Sequence, residues 1–134
     1  MDIVYIRDLQ VDTIIGIYDW EREVRQTISL DLDMAADISQ AAQSDNIDDA
    51  LNYKAVAKRL ISFIEGSSCL LVERLAEQVA QIVIAEFDVP WIRLRLSKPG
   101  ALRGSRDVGL IIERGCLPET SGSPDTGISP TTSL

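Results

Sequence analysis

The hydrophobic pattern changes period twice along this chain, and that change restricts the fold more than any other feature. In residues 26–37, Ile28, Leu30, Leu32 and Met34 fall on one side, with Ser29, Asp31 and Asp33 on the other. Period two with one apolar face marks a half-buried strand. Residues 3–15 are rich in strand formers, and Ile3, Tyr5, Leu9, Val11, Thr13 and Ile15 are expected on one alternating set before Gly16 ends the run. The two segments predict a hairpin around Tyr18-Asp19-Trp20.

The period then lengthens. Residues 38–51 are small and polar and read as a loop with a short helical turn. Asn52 is placed to cap a helix carrying Val56, Leu60, Ile61 and Ile64 and ending near Gly66. A second helix is predicted from about Leu70 to Phe87. Its apolar stripe is Val72, Leu75, Ala76, Val79, Ile82 and Val83, with Glu73, Glu77 and Gln81 opposite. After Pro90 the period returns to two. Ile92, Leu94 and Leu96 alternate with Arg93, Arg95 and Ser97, and Val108, Leu110 and Ile112 give a fourth strand.

The order β-β-α-α-β-β segregates strands from helices. It predicts an α+β fold, a mainly antiparallel four-stranded sheet with two helices on one face. The other face would carry Asp31, Asp33, Arg93 and Arg95, so it is either wet or lines the interior of an assembly. From Cys116 onward the chain is mostly Ser, Thr, Pro and Gly. Such a segment buries too little apolar area to offset its conformational entropy. Residues 1–115 are therefore expected to form the domain and 116–134 a disordered tail.

Composition excludes several chemistries. The chain has no histidine, so a Ser-His-Asp or Cys-His centre and histidine-ligated zinc are ruled out. Only two cysteines, Cys69 and Cys116, are present, too few for a four-cysteine metal site and no disulfide framework. A reduced, cytoplasmic setting is expected, and Met1–Tyr5 do not read as the start of a signal peptide. The formal charge of -8 argues against nucleic acid, and no apolar run approaches a membrane span of roughly 20 residues. Of 13 basic residues only Lys54, Lys58 and Lys98 are lysines. The first two fall on the first helix with a solvent-facing reading, which leaves Lys98 as the amine to consider.

Four residues stand out, each with an ordinary explanation beside the functional one. Lys98 ends a strand in Ser97-Lys98-Pro99-Gly100, where lysines are usually just solvated. Glu73 lies in the first turn of the second helix, where a carboxylate complements the helix dipole by about 0.3–1 kcal/mol. That ordinary reading is favoured on local context alone; the functional one is an acceptor of two hydrogen bonds from a ligand with adjacent N–H donors. Tyr53, next to the helix cap, reads as packing. Glu21, in the hairpin turn, reads as a loop charge.

Taken together the motifs are specific. The segment Ile14-Ile15-Gly16-Ile17-Tyr18-Asp19-Trp20-Glu21 resembles a signature of the bacterial dihydroneopterin aldolase family. So do Leu51-Asn52-Tyr53, Leu71-Val72-Glu73-Arg74-Leu75-Ala76-Glu77, Leu96-Ser97-Lys98-Pro99-Gly100-Ala101 and Val108-Gly109-Leu110-Ile111-Ile112-Glu113-Arg114. The resemblance spans residues 1–115 in order.

The resemblance implies the T-fold (tunnelling fold), with four subunits closing a sixteen-stranded barrel and two rings stacking into a homo-octamer. Active sites would lie between subunits. It also implies metal-free, cofactor-free retro-aldol cleavage of 7,8-dihydroneopterin, in folate biosynthesis, with a side epimerase activity. Glu73 would anchor the pterin with help from the backbone at Val72. Tyr53 would be an active-site tyrosine, Glu21 a substrate-binding glutamate and Lys98 the catalytic lysine. Two alternatives stay open: a dihydroneopterin triphosphate 2'-epimerase, and a non-catalytic pterin-binding ring that could dispense with Lys98 and Tyr53.

Overall fold

The computed structural model describes residues 1–117. Most of the stretch expected to be a disordered tail, from residue 118 on, lies outside the described residues. The elements follow as β1 (Asp2–Thr13), a 3₁₀ turn (Asp19–Arg22), β2 (Gln26–Ala36), α1 (Ser39–Ser44), a second 3₁₀ turn (Ile47–Asp49), α2 (Tyr53–Glu65), α3 (Val72–Phe87), β3 (Trp91–Pro99) and β4 (Asp107–Gly115). The four strands form one antiparallel sheet in chain order, β1-β2-β3-β4.

The alternation of β2 and β3 translates directly into layers. Ile28, Leu30, Leu32 and Met34 and, across the ladder, Ile92, Leu94 and Leu96 are fully buried. Helix α2 covers β1, and α3 covers β3 and β4. Val56, Leu60 and Ile64 from α2 and Leu75, Ala76, Val79, Ala80 and Val83 from α3 complete this core. Each fully buried Leu- or Ile-sized side chain contributes about 1.5–3 kcal/mol by leaving water. Asn52 caps α2 through its side-chain oxygen, which accepts from the Ala55 N–H at 3.1 Å. The loop expected at residues 38–51 contains the short six-residue helix α1 and the second 3₁₀ turn.

One expectation is corrected. Ile3 and Tyr5 do not share a face with Leu9, Val11 and Thr13. A β-bulge shifts the register between Ile6 and Leu9, where Asp8 takes a left-handed backbone at φ 56°. The extra residue inverts the side-chain parity. Val4 and Ile6 pack on the core before the bulge, Leu9 and Val11 after it, and Ile3 and Tyr5 are exposed. The bulge is tied to β2: the Asp8 N–H donates to Asp31 Oδ1 at 2.8 Å, and the Ser29 hydroxyl donates to Asp8 Oδ1 at 2.6 Å.

The uncovered face is charged as expected. Arg95 pairs with Asp31 at 3.6 Å, Arg93 with Glu113 at 3.7 Å and Arg7 with Asp33 at 2.7 Å. Neither outer strand, β1 or β4, has a partner on its free edge among the described residues.

Candidate active site

Strand parity fixes where Lys98 points. It continues the series Ile92, Leu94, Leu96, so its side chain lies on the helix-covered face, beyond the last buried leucine. Pro99 closes the strand one residue later. The ammonium therefore emerges at the end of the core and not into open water, and the side chain is only 12% exposed.

Its partner is Glu21. It lies in the 3₁₀ turn Asp19–Arg22, where it is the buried residue, its side chain 7% exposed. Lys98 Nζ donates to Glu21 Oε2 at 2.5 Å. The other carboxylate contacts are the Tyr18 N–H on Oε1 at 3.2 Å and the Gln26 amide on Oε2 at 3.3 Å. The bond from Lys98 is the main reason the Glu21 carboxyl sits below its ordinary 4.5. Burial opposes that shift, and the donors from Tyr18 and Gln26 reinforce it.

Gly16 makes room for this carboxylate. Its φ is +125°, and a Cβ built there would lie 2.2 Å from Glu21 Cδ. Both the backbone conformation and the space demand glycine. Gln26 serves two partners, donating to the Ile15 carbonyl at 2.8 Å as well as to Glu21.

The opposite wall is the start of α3. Leu71 is its N-cap and provides no side-chain bond, so the first N–H groups of the helix are left open, among them that of Val72. Glu73 follows in the first turn, exposed, and its carboxylate has no hydrogen-bond or ion-pair partner among the described residues. Free N–H donors beside a free carboxylate offer a ligand one anionic acceptor and adjacent donors, on a helix end of positive polarity.

Between the two walls lies an open pocket of about 320 Å³, bordered by Gly16, Glu21, Val72, Glu73 and Lys98, with Leu71 and Val108 as apolar surface. Of the five residues to which the resemblance gives a role, Glu21, Val72, Glu73 and Lys98 thus meet here. Tyr53 does not. It begins α2, is 54% exposed and borders none of this pocket. The C-terminal end of α2 is the end that leads into the pocket rim, and the twelve-residue rise from Tyr53 to Glu65 sets Tyr53 about 18 Å back along the axis. Gly16, Gln26 and the Tyr18 N–H were not singled out beforehand. Only the glycine had a signal in sequence, as the break after an apolar alternating run.

The family model described as dihydroneopterin aldolase (FolB) matches residues 4–113. A dihydroneopterin aldolase of Escherichia coli K12 is 49% identical over 115 residues, 86% of this chain and 94% of the relative. The chain belongs to the dihydroneopterin aldolase family. Its activity is accordingly that of a lyase acting on a pterin, in folate biosynthesis. The crystal structure of E. coli dihydroneopterin aldolase in complex with neopterin superposes with a TM-score of 0.84 at 49% identity, covering 86% of this chain and 100% of that one. That match also establishes the dihydroneopterin aldolase fold. A dihydroneopterin triphosphate 2'-epimerase of E. coli K12 is 31% identical over 110 residues, 82% of this chain and 92% of the relative. The epimerases are thus relatives, and the aldolase match is the stronger.

Proposed function

We propose that this pocket grips 7,8-dihydroneopterin by its pterin ring and moves the protons of a metal-free retro-aldol cleavage. The observation that carries this reading is the placement of the buried Lys98–Glu21 pair across one pocket from the open α3 terminus and Glu73. The pterin edge has a 2-amino group and a ring N–H side by side, which a free carboxylate can accept together. Glu73 takes that role, and the Val72 N–H donates to the ring carbonyl. The ring then lies between the α3 wall and the Lys98 side.

Aldol cleavage needs an electron sink next to the breaking bond. Here the substrate carries it, because N5=C6 is already an imine. Loss of the 2'-hydroxyl proton breaks C1'–C2', and the bonding pair moves through C6 to N5. Lys98, through ordered water, donates the proton that N5 takes up. The resulting enamine is protonated at C1', and N5 gives its proton back. Glycolaldehyde and 6-hydroxymethyl-7,8-dihydropterin leave, with one proton removed at oxygen and one added at carbon. Glu21 holds the ammonium on the pocket side and borders the bound substrate. Acid–base assistance of this kind gives typically about 10²–10⁴-fold.

Tyr53 is assigned as the proton relay at the side-chain carbons, supplied by an adjacent subunit. Two features support such an assembly: the free edges of β1 and β4, which barrel closure would pair, and the charged sheet face, which would line its interior. Two stacked four-subunit rings, a homo-octamer in the cytoplasm, complete the proposal. Attack of the enamine carbon C1' on the opposite face of the glycolaldehyde carbonyl re-forms C1'–C2' with C2' inverted, which gives a side epimerase activity toward 7,8-dihydromonapterin.

Product analysis after incubation with 7,8-dihydroneopterin tests the reading. Glycolaldehyde and 6-hydroxymethyl-7,8-dihydropterin are expected. Epimer without cleavage would favour the epimerase reading, and binding without turnover the non-catalytic ring.

A further inference from the structure

Arg22 lies one residue beyond Glu21 and touches neither the carboxylate–ammonium pair nor the pocket floor. Its guanidinium donates instead to three main-chain carbonyls. Nη1 reaches Gly16 O at 2.8 Å and Cys69 O at 3.0 Å, and Nη2 reaches Ser68 O at 2.5 Å. Gly16 belongs to the rim that carries Glu21. Ser68 and Cys69 belong to the connection between α2 and α3, and Cys69 lies three residues ahead of Val72. Among the described residues, no other side chain donates to both rims.

Neither rim has a ladder or a helix to fix it at these points. Gly16 adopts φ +125°, and Leu71 leaves α3 without a side-chain cap. Side-chain ties across the gap therefore add to the packing of Ile15 and Cys69 on the core in setting their separation. Thr13 fixes the far end of the connection, its hydroxyl reaching Ile64 O at 2.6 Å and Ser67 O at 3.1 Å. Arg22 fixes the part nearest the pocket. A planar fork with several N–H groups can serve three carbonyls at once, and a single ammonium cannot hold the same spread with equal rigidity.

We propose that Arg22 is a positioning residue that sets the width of the pterin pocket, holding the Val72–Glu73 wall at a fixed distance from the Lys98–Glu21 wall. The proposal rests on the pterin reading of the pocket. Because Arg22 acts on the binding wall, and Glu21 keeps its own ties to Tyr18 and Gln26, the effect falls on affinity and leaves the chemical step in place.

The test compares wild type with Arg22→Met, which keeps the length without the donors, and Arg22→Lys. The readouts are neopterin affinity by calorimetry, KM and kcat with 7,8-dihydroneopterin, and thermal midpoint. Arg22→Met is expected to raise the neopterin Kd and the KM about tenfold, the scale of a lost charge-assisted tie, with kcat within about twofold. Arg22→Lys is expected to recover part of the affinity. Unchanged Kd and KM in Arg22→Met, even with a lower thermal midpoint, would overturn the proposal, as would a fall confined to kcat. If Arg22→Met does not fold, Arg22→Lys decides alone, with a Kd and KM above wild type expected and equality overturning the proposal. Failure of the wild type itself to bind neopterin would instead overturn the pterin reading, and the assignment of Arg22 with it.

Discussion

Lys98 and Glu21, 77 positions apart in sequence, meet in an ion pair of 2.5 Å whose two side chains are almost closed to solvent. A buried pair is costly to break, because the surviving charge is left without compensation, about 3–5 kcal/mol in comparable cases. It also aims the ammonium at the pocket and away from bulk water.

Acid should expose this pair. The Glu21 carboxyl is held below its ordinary 4.5, chiefly by the bond from Lys98. A group whose folded value is depressed stabilises the fold fully above its unfolded value, and that contribution is lost as pH falls through the folded value. Wild type should therefore unfold at a higher temperature than Glu21→Gln at pH 7, and the gap should narrow below about pH 4.5. A gap that stayed constant from pH 7 to pH 3 would mean that Glu21 titrates alike in both states.

Gly16 makes a second prediction, with Gly100 as its control. Both have positive φ, but a Cβ at Gly16 would strike Glu21 at 2.2 Å, whereas one at Gly100 would meet nothing within 4 Å. Gly100→Ala should cost only its backbone strain, about 1 kcal/mol. Gly16→Ala adds overpacking, about 1–3 kcal/mol more, and should depress turnover by displacing Glu21. Urea denaturation of the two variants checks the ranking; equal midpoints would contradict it.

Glu73 should matter for binding. Glu73→Ala removes a carboxylate placed to accept two hydrogen bonds, each charge-assisted bond being worth about 1.5–3 kcal/mol. Neopterin affinity measured by calorimetry should fall about a hundredfold or more. Glu73 is exposed and has no partner among the described residues, so the thermal midpoint should barely move. Unchanged affinity would remove the anchor.

Tyr53 tests the assembly. If an adjacent subunit supplies it, Tyr53→Phe and Lys98→Ala subunits, each nearly inactive alone, should regain turnover after mixed reassembly, because some interfaces then carry both native residues. A mixture no more active than its parents would place both groups in one subunit's site.

The legible parts of the fold were those where one face is buried throughout. The period-two runs of β2 and β3 and the stripe of α3 read correctly because each presents a single side to the core. The first half of β1 did not, since Asp8 adds a residue and reverses parity for Ile3 and Tyr5, a local event with no compositional mark. In the site, Glu21, Val72, Glu73 and Lys98 border one pocket of a single chain, which the motifs leave open. Tyr53 stands apart at the start of α2, and it joins the site only through the proposed assembly. Arg22 and Gln26 were invisible for a different reason: most of their partners are main-chain carbonyls, which every sequence has.

The most direct test of the central claim is Lys98→Ala, with turnover of 7,8-dihydroneopterin and neopterin affinity measured on the same preparation. The pocket reading predicts that kcat falls by about 10²–10⁴-fold while the neopterin Kd stays within about threefold of wild type. Near-normal turnover would contradict it and remove Lys98 from the chemistry.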